Sequence, residues 1–140
     1  MEQQNRVEIT MESRSVNEQF ARMAVAAFIA PLDPSVSELT DIKTAVSEAV
    51  TNAIIHGYEH TPGEVRLSLS CEGRCLTVEV SDDGAGIENI PDAMQPLFTT
   101  KPELERSGMG FTVMENFMDE VRVISEKGKG TAVVMKRKLS

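Results

Sequence analysis

The sequence predicts a two-layer α/β sandwich, a mixed, mainly antiparallel sheet covered on one face by helices. Three observations carry that expectation. Segments that alternate apolar and polar residues come in adjacent pairs, "EVRLSLSC" with "LTVEVSD" and "VRVISE" with "TAVVMKR", and adjacent alternating strands pair as hairpins. Two capping-box patterns, Ser15 to Glu18 and Ser35 to Glu38, launch helices. The order is strand, helix, helix, hairpin, long loop, helix, hairpin. It contains no repeat and no linker, so residues 1–140 are expected to form a single domain.

The elements follow in turn. "RVEITM" alternates Val7, Ile9 and Met11 as a first strand. The first capping box opens a helix through "FARMAVAAFIAPLD", closed off by Pro31 and Pro34. The second opens a helix running to Gly57, a plausible C-terminal glycine. On this second helix Leu39, Ile42, Val46, Ala49, Val50 and Ala53 share one arc of roughly 100° at helical periodicity, the core face. The turn "EGR" joins the strands of the first hairpin and "KGKG" those of the second. Between them, "SGMGFTVMENFMD" reads as a glycine-rich turn feeding a short helix, with Phe111, Met114 and Phe117 at three-residue spacing. Residues 88–107 lack periodicity, and a loop of that length is usually functional or mobile.

Composition narrows the function. With 41% hydrophobic and 26% charged residues and a formal charge of −8, the chain is an ordinary globular one that would repel a phosphate backbone. Nucleic-acid binding is therefore not expected, while nucleotides, held by local donors and metal, stay open. Cys71 and Cys75 form neither a CxxC pair nor a metal-finger spacing, and strand alternation puts them on opposite faces, against a disulfide. Without a signal peptide or long apolar run the chain is expected to be cytoplasmic, with no membrane partner.

Three polar stretches stand out. Glu48, Asn52 and His56 recur at steps of four along the second helix, a stripe on the flank of the core arc. A solvated helix edge would explain it. So would a ridge facing a cleft, with a carboxylate base beside an amide oxygen able to ligate Mg²⁺, a hard ion that keeps several waters and needs few protein ligands. In "LTVEVSDDGAGI" the inward series Leu76, Val78, Val80 continues to Asp82. Gly84 and Gly86 follow and permit close approach of a ligand. A carboxylate at the mouth of a core can accept from an exocyclic amine such as that of adenine; a strand end turning at Asp-Asp-Gly is the plainer alternative. In "SGMG", Ser107 to Gly110, glycines expose backbone N–H groups at a helix start, a place that attracts anions, though glycine serves a simple turn equally. Neither the GxxxxGK[ST] nor the GxGxxG fingerprint is present. Upstream, Thr99, Thr100 and Lys101 add two hydroxyls and an ammonium.

Together, "EAVTNAIIHG", "DDGAGI" and "GMGF" resemble, in order and separation, the three nucleotide-binding boxes of the superfamily that joins gyrase, the ninety-kilodalton chaperone, sensor histidine kinases and MutL (the GHKL, or Bergerat-fold, ATPases). The run "SEAVTNAIIHGY…PLFTTKPELERSGMGFTVMENFMDEV" is more closely similar to the anti-sigma factor kinases of spore-forming bacteria. The resemblance implies a homodimer that binds a sporulation sigma factor (sigma F), keeps it from RNA polymerase, and uses Mg-ATP to phosphorylate an anti-anti-sigma protein on serine. It implies Asn52 as the Mg²⁺ ligand, Glu48 as general base, Asp82 as acceptor for the adenine amine, and Gly84, Gly86 and Ile87 as the box around it. Ser107, Gly108, Met109 and Gly110 would line the phosphates, and Thr99, Thr100 and Lys101 would be contacts from the lid at 88–107. Thr131 would lie near adenine, and Arg22 would engage both protein partners. His56 receives no role beyond a satisfied polar residue at the helix end. Asp83 doubles the acid ahead of Gly84 and is expected to face solvent. The competing readings are a general-stress anti-sigma kinase for another sigma factor, a histidine-kinase-like domain, and a sigma-sequestering module that uses ATP only as a structural ligand.

Overall fold

In the computed structural model the described residues are 4–57, 63–84, 110–126 and 129–140. The long stretch between the glycine boxes, with Gly86, Ile87, Thr99, Thr100, Lys101, Ser107, Gly108 and Met109, lies outside them.

Five strands form one sheet: β1 (Gln4–Glu12), β2 (Glu64–Glu72), β3 (Cys75–Asp82), β4 (Glu120–Glu126) and β5 (Gly130–Lys138). Their spatial order is β1-β2-β3-β5-β4, and among the described residues every pairing is antiparallel, without the parallel pairs that a mixed sheet would contain. The reason is connectivity: β2–β3 and β4–β5 are hairpins, and β5 enters beside β3 in the opposite sense. The turn between β2 and β3 is Gly73–Arg74, with Gly73 at φ 61°.

Three helices, α1 (Val16–Ile29), α2 (Val36–Asn52) and α3 (Gly110–Phe117), lie over one face. Register converts strand alternation into transverse rows beneath them. Val7, Leu69, Val78, Met135 and Val121 make one such row, and Ile9, Leu67, Val80, Val133 and Val123 the next. Against them α1 buries Ala21, Val25 and Ile29, α2 buries Ile42, Ala45, Val46, Ala49 and Val50, and α3 buries Met114. The expected core arc of α2 is borne out, with Leu39 at its margin.

The two capping boxes differ. At α2, Ser35 is extended; its Oγ accepts from the Glu38 N–H at 3.0 Å, and Glu38 Oε1 accepts from the Ser35 N–H at 2.9 Å. Glu38 Oε2 also accepts from the Ser140 N–H at 2.8 Å, which pins the end of the chain to the start of α2. At α1 no box forms. Ser15 already has helical dihedrals, φ −55° and ψ −32°, so its hydroxyl caps nothing, because a capping side chain reaches N3 only from an extended residue. Glu18 turns instead toward α2, where it accepts from the Ser47 hydroxyl, and pairs with Arg22 at 3.2 Å.

The far end of α2 reaches Gly57 as expected, but its last turn, Ala53–Gly57, widens into a π-helix. Such widened turns are rare and recur at functional sites. Both cysteines are free, Cys71 buried and Cys75 exposed. Among the described residues no helix is long and apolar enough to cross a membrane.

Candidate nucleotide site

The third transverse row under the helices is where the sheet changes character. It reads Met11, Val65, Asp82, Thr131, Ser125 across β1, β2, β3, β5 and β4. Three neighbouring strands thus end in a carboxylate and two hydroxyls, one step beyond rows that are wholly aliphatic. Asp82 is buried, with 6% of its surface exposed. Burial is the main influence on its carboxyl and pushes its pKa up; N–H groups of Gly84 and Thr131 pull the other way, Gly84 at 2.9 Å. A carboxylate held at this cost in a largely apolar wall is short of donors. An exocyclic amine is the kind of group that meets the need.

The backbone brings the row together at Gly130. It has φ 101°, and a Cβ placed there would lie 2.1 Å from the Asp82 carbonyl oxygen and 2.8 Å from Asp83 Cα. No other residue fits so close to β3. Beside it, Asp83 is exposed, as expected, and Arg66 on β2 holds both its oxygens, at 2.9 and 3.0 Å. That fork keeps the Asp83 carboxyl below the usual carboxylate range and offsets its charge.

Helix α2 and the widened turn after it pack against β3. Glu48 and Asn52 stand one turn apart and half-buried, with Asn52 at the junction where the helix widens. Helix α3 starts at Gly110, so its N-terminal end follows directly on the Ser107–Met109 stretch. Gly84 lies in the bend after β3, bonded to Asp82.

Comparison with known proteins fits this geometry. The sequence family described as "Histidine kinase-like ATPase domain" matches residues 9–137. A protein of Clostridium kluyveri named "Anti-sigma F factor" is 62% identical over 133 residues, 95% of this chain and 94% of the relative. Proteins of the same name from Clostridium acetobutylicum and Geobacillus thermodenitrificans are 58% and 60% identical over 137 residues, covering 98% and 97% of this chain and 96% and 94% of theirs. The chain belongs to the anti-sigma F factor family. Among solved structures, the RsbU and RsbW domains of Rv1364c from Mycobacterium tuberculosis superpose with a TM-score of 0.70 over 96% of this chain. At 20% identity, and with this chain spanning about a third (32%) of that one, the likeness establishes the fold.

A histidine kinase-like ATPase domain implies ATP as ligand. The residues present suit it: a buried acceptor at Asp82, a hydroxyl at Thr131 paired with it across strands, and a polar helix wall. No group of three or more His, Cys, Asp or Glu able to hold a metal occurs among the described residues. Mg²⁺ is a hard ion that keeps several waters and needs few protein ligands, so a site without such a group does not exclude it.

Arg22 lies elsewhere, in an open groove of about 470 Å³ between α1 and α2 lined by Glu18, Thr40, Lys43, Thr44 and Ser47. Sequence reasoning placed Arg22 on α1 but did not foresee its pairing with Glu18. It also missed Arg66, Gly130 and Ser125. For Gly130 the signal was present in "KGKGT"; for Arg66 and Ser125 only strand register reveals it.

Proposed function

We propose that this chain sequesters a sporulation sigma factor, sigma F, from RNA polymerase and uses Mg-ATP to phosphorylate an anti-anti-sigma protein on serine. The observation that carries the nucleotide part is the buried Asp82 paired across strands with Thr131 at the end of an aliphatic sheet face. The regulatory part rests on the name borne by relatives up to 62% identical over nearly the whole chain.

In this reading Asp82 accepts from the adenine amino group, and Gly84, Gly86 and Ile87 let the ring approach. Thr131 lies against the same edge of the base. Asn52 holds Mg²⁺, and Glu48, one turn earlier, takes the proton of the incoming serine hydroxyl. Lys101, Thr99, Thr100 and the backbone of Ser107, Gly108, Met109 and Gly110 surround the phosphates. Bound Mg²⁺ supplies charge neutralisation on the transferring phosphoryl group. The protein's share is position: two side chains four residues apart on one rigid helix present base and metal ligand together. Arg22, at the mouth of its groove, engages the protein partners. The chain acts as a homodimer; Val16, Phe20 and Met23 form an exposed apolar stripe at helical spacing on α1, a surface suited to a second copy.

The test mixes the pure protein, labelled ATP, the anti-anti-sigma protein and sigma F. Phosphoserine on the anti-anti-sigma protein and a nucleotide-dependent complex with sigma F are expected. Phosphohistidine would favour the histidine-kinase reading. Sigma binding without any transfer would leave ATP a structural ligand.

A further inference from the structure

Helix α3 has only 8 residues, too few to be stable by itself, so its direction is set by what grips it. Met114 sinks into the core near its middle. At its end Arg137 of β5 closes a bridge. Nη1 donates to the carbonyl oxygen of Phe117, the last residue of α3, and to Asp41 Oδ2 of α2 at 3.5 Å. The final carbonyls of a helix lack partners of their own and carry partial negative charge, so a guanidinium suits the place. The bridge is mostly withdrawn from water, with 19% of the Arg137 side chain and 26% of the Asp41 side chain exposed, and salt screens it less than a surface pair. Asp119 separately fastens the segment beyond α3 to β5, through the Lys136 carbonyl at 2.8 Å and the Lys138 N–H at 2.7 Å. Arg137 adds the tie to α2.

This bridge lies at the far end of the sheet from Asp82. Strand β4, which follows α3, starts with Glu120 opposite Lys136, whereas Asp82 faces Thr131 at the other end of β5. Helix α3 therefore runs from its Gly110 end towards the bridge while packing along α2. On α2, Asp41 precedes Glu48 by two turns along the same side. Gly110 lies about 6 Å up the axis from Met114 and Phe117 about 4.5 Å down it. With Met114 as pivot, a swing at one end of α3 is matched at the other.

We propose that Arg137 is a positioning residue for the triphosphate: by holding the end of α3 on Asp41, it aims the Gly110 end at the phosphates beside Glu48 and Asn52. This rests on the nucleotide site proposed above. Asp82 and Thr131, on the strands, do not depend on the bridge, so the two halves of the ligand respond differently to its loss.

The experiment titrates the full chain with Mg-ATP by calorimetry and with adenosine by NMR, at a temperature where melts show every variant folded. Arg137→Met keeps a stem of similar bulk without the donors. It is expected to weaken Mg-ATP about tenfold, the scale of one hydrogen bond, and to leave adenosine unchanged. Arg137→Lys, which keeps a charged donor, recovers most of the loss. Asp41→Ala removes the other anchor, weakens Mg-ATP selectively as well, and keeps the inference testable if Arg137→Met folds poorly. Combined, the two lose less than the sum of their separate effects, as partners in one bridge must. Mg-ATP and adenosine weakened alike, neither weakened, or losses that simply add would overturn the inference and leave Arg137 a brace of the fold. Failure of wild type to bind Mg-ATP overturns the nucleotide site itself and the inference with it.

Discussion

The Gly130 Cα packs so closely on Asp82 that a single added carbon would come within 2.1 Å of the Asp82 carbonyl oxygen. The obstacle is backbone, which cannot swing aside as a side chain would, and the φ of 101° is strained for any L residue. Gly130→Ala should therefore destabilise the protein by more than about 1 kcal/mol and, by moving the end of β3, weaken ATP binding as well. Urea unfolding and nucleotide titration of the same sample check both.

Asp82→Asn should separate stability from function. Because burial raises the Asp82 pKa in the folded protein, the native state binds the proton more tightly than the unfolded chain. Stability is then highest below the unfolded pKa and falls as pH rises toward the folded one. Asparagine removes that penalty, and its one side-chain oxygen can still accept from Gly84. The variant is expected to melt at a higher temperature than wild type at neutral pH without nucleotide, and to lose ATP binding. Thermal melts with and without ATP measure the two effects.

Glu48→Ala should keep nucleotide binding and lose about 10²- to 10⁴-fold in phosphoryl transfer, the usual share of a general base. Single-turnover transfer to the anti-anti-sigma protein checks this. Unchanged turnover would remove Glu48 from the role of base.

Glu38 predicts an acid limb. N–H groups of Ser35 and Ser140 lower its pKa to about 2 from an ordinary 4.5. Its contribution is fully present above about 4.5 and is lost as pH falls through about 2. Glu38→Gln should lower the melting temperature at pH 7, with the gap to wild type closing between those two values. Melts across that range show whether the curves converge.

Much of this architecture was legible in the sequence because its causes are local. Alternation alone ran Leu76, Val78 and Val80 into Asp82, and the structure buries all four on the helix-facing side. The box at Ser35 and Glu38 formed because both partners are three residues apart. The box at Ser15 and Glu18 has the same letters, but Glu18 found Ser47 across the helix interface and Arg22 one turn along α1, and these partners outcompeted the cap. Arg66 with Asp83, and Ser125 with Thr131, depend on which strands lie side by side, which is not encoded within either segment. The exclusion of a side chain at Gly130 arises from a strand 48 positions earlier in the chain.

One consequence of the transverse rows concerns mutational drift. The buried Asp82 carboxylate and the greasy interior share a single odd-even rhythm along β3, so a slip of one position would throw Asp82 to the opposite surface and the aliphatic residues with it. A misaligned strand would thus ruin the interior before it could create a folded protein with a blind pocket. Variants that remain soluble and compact should accordingly keep Asp82 on the helix-facing side of the sheet.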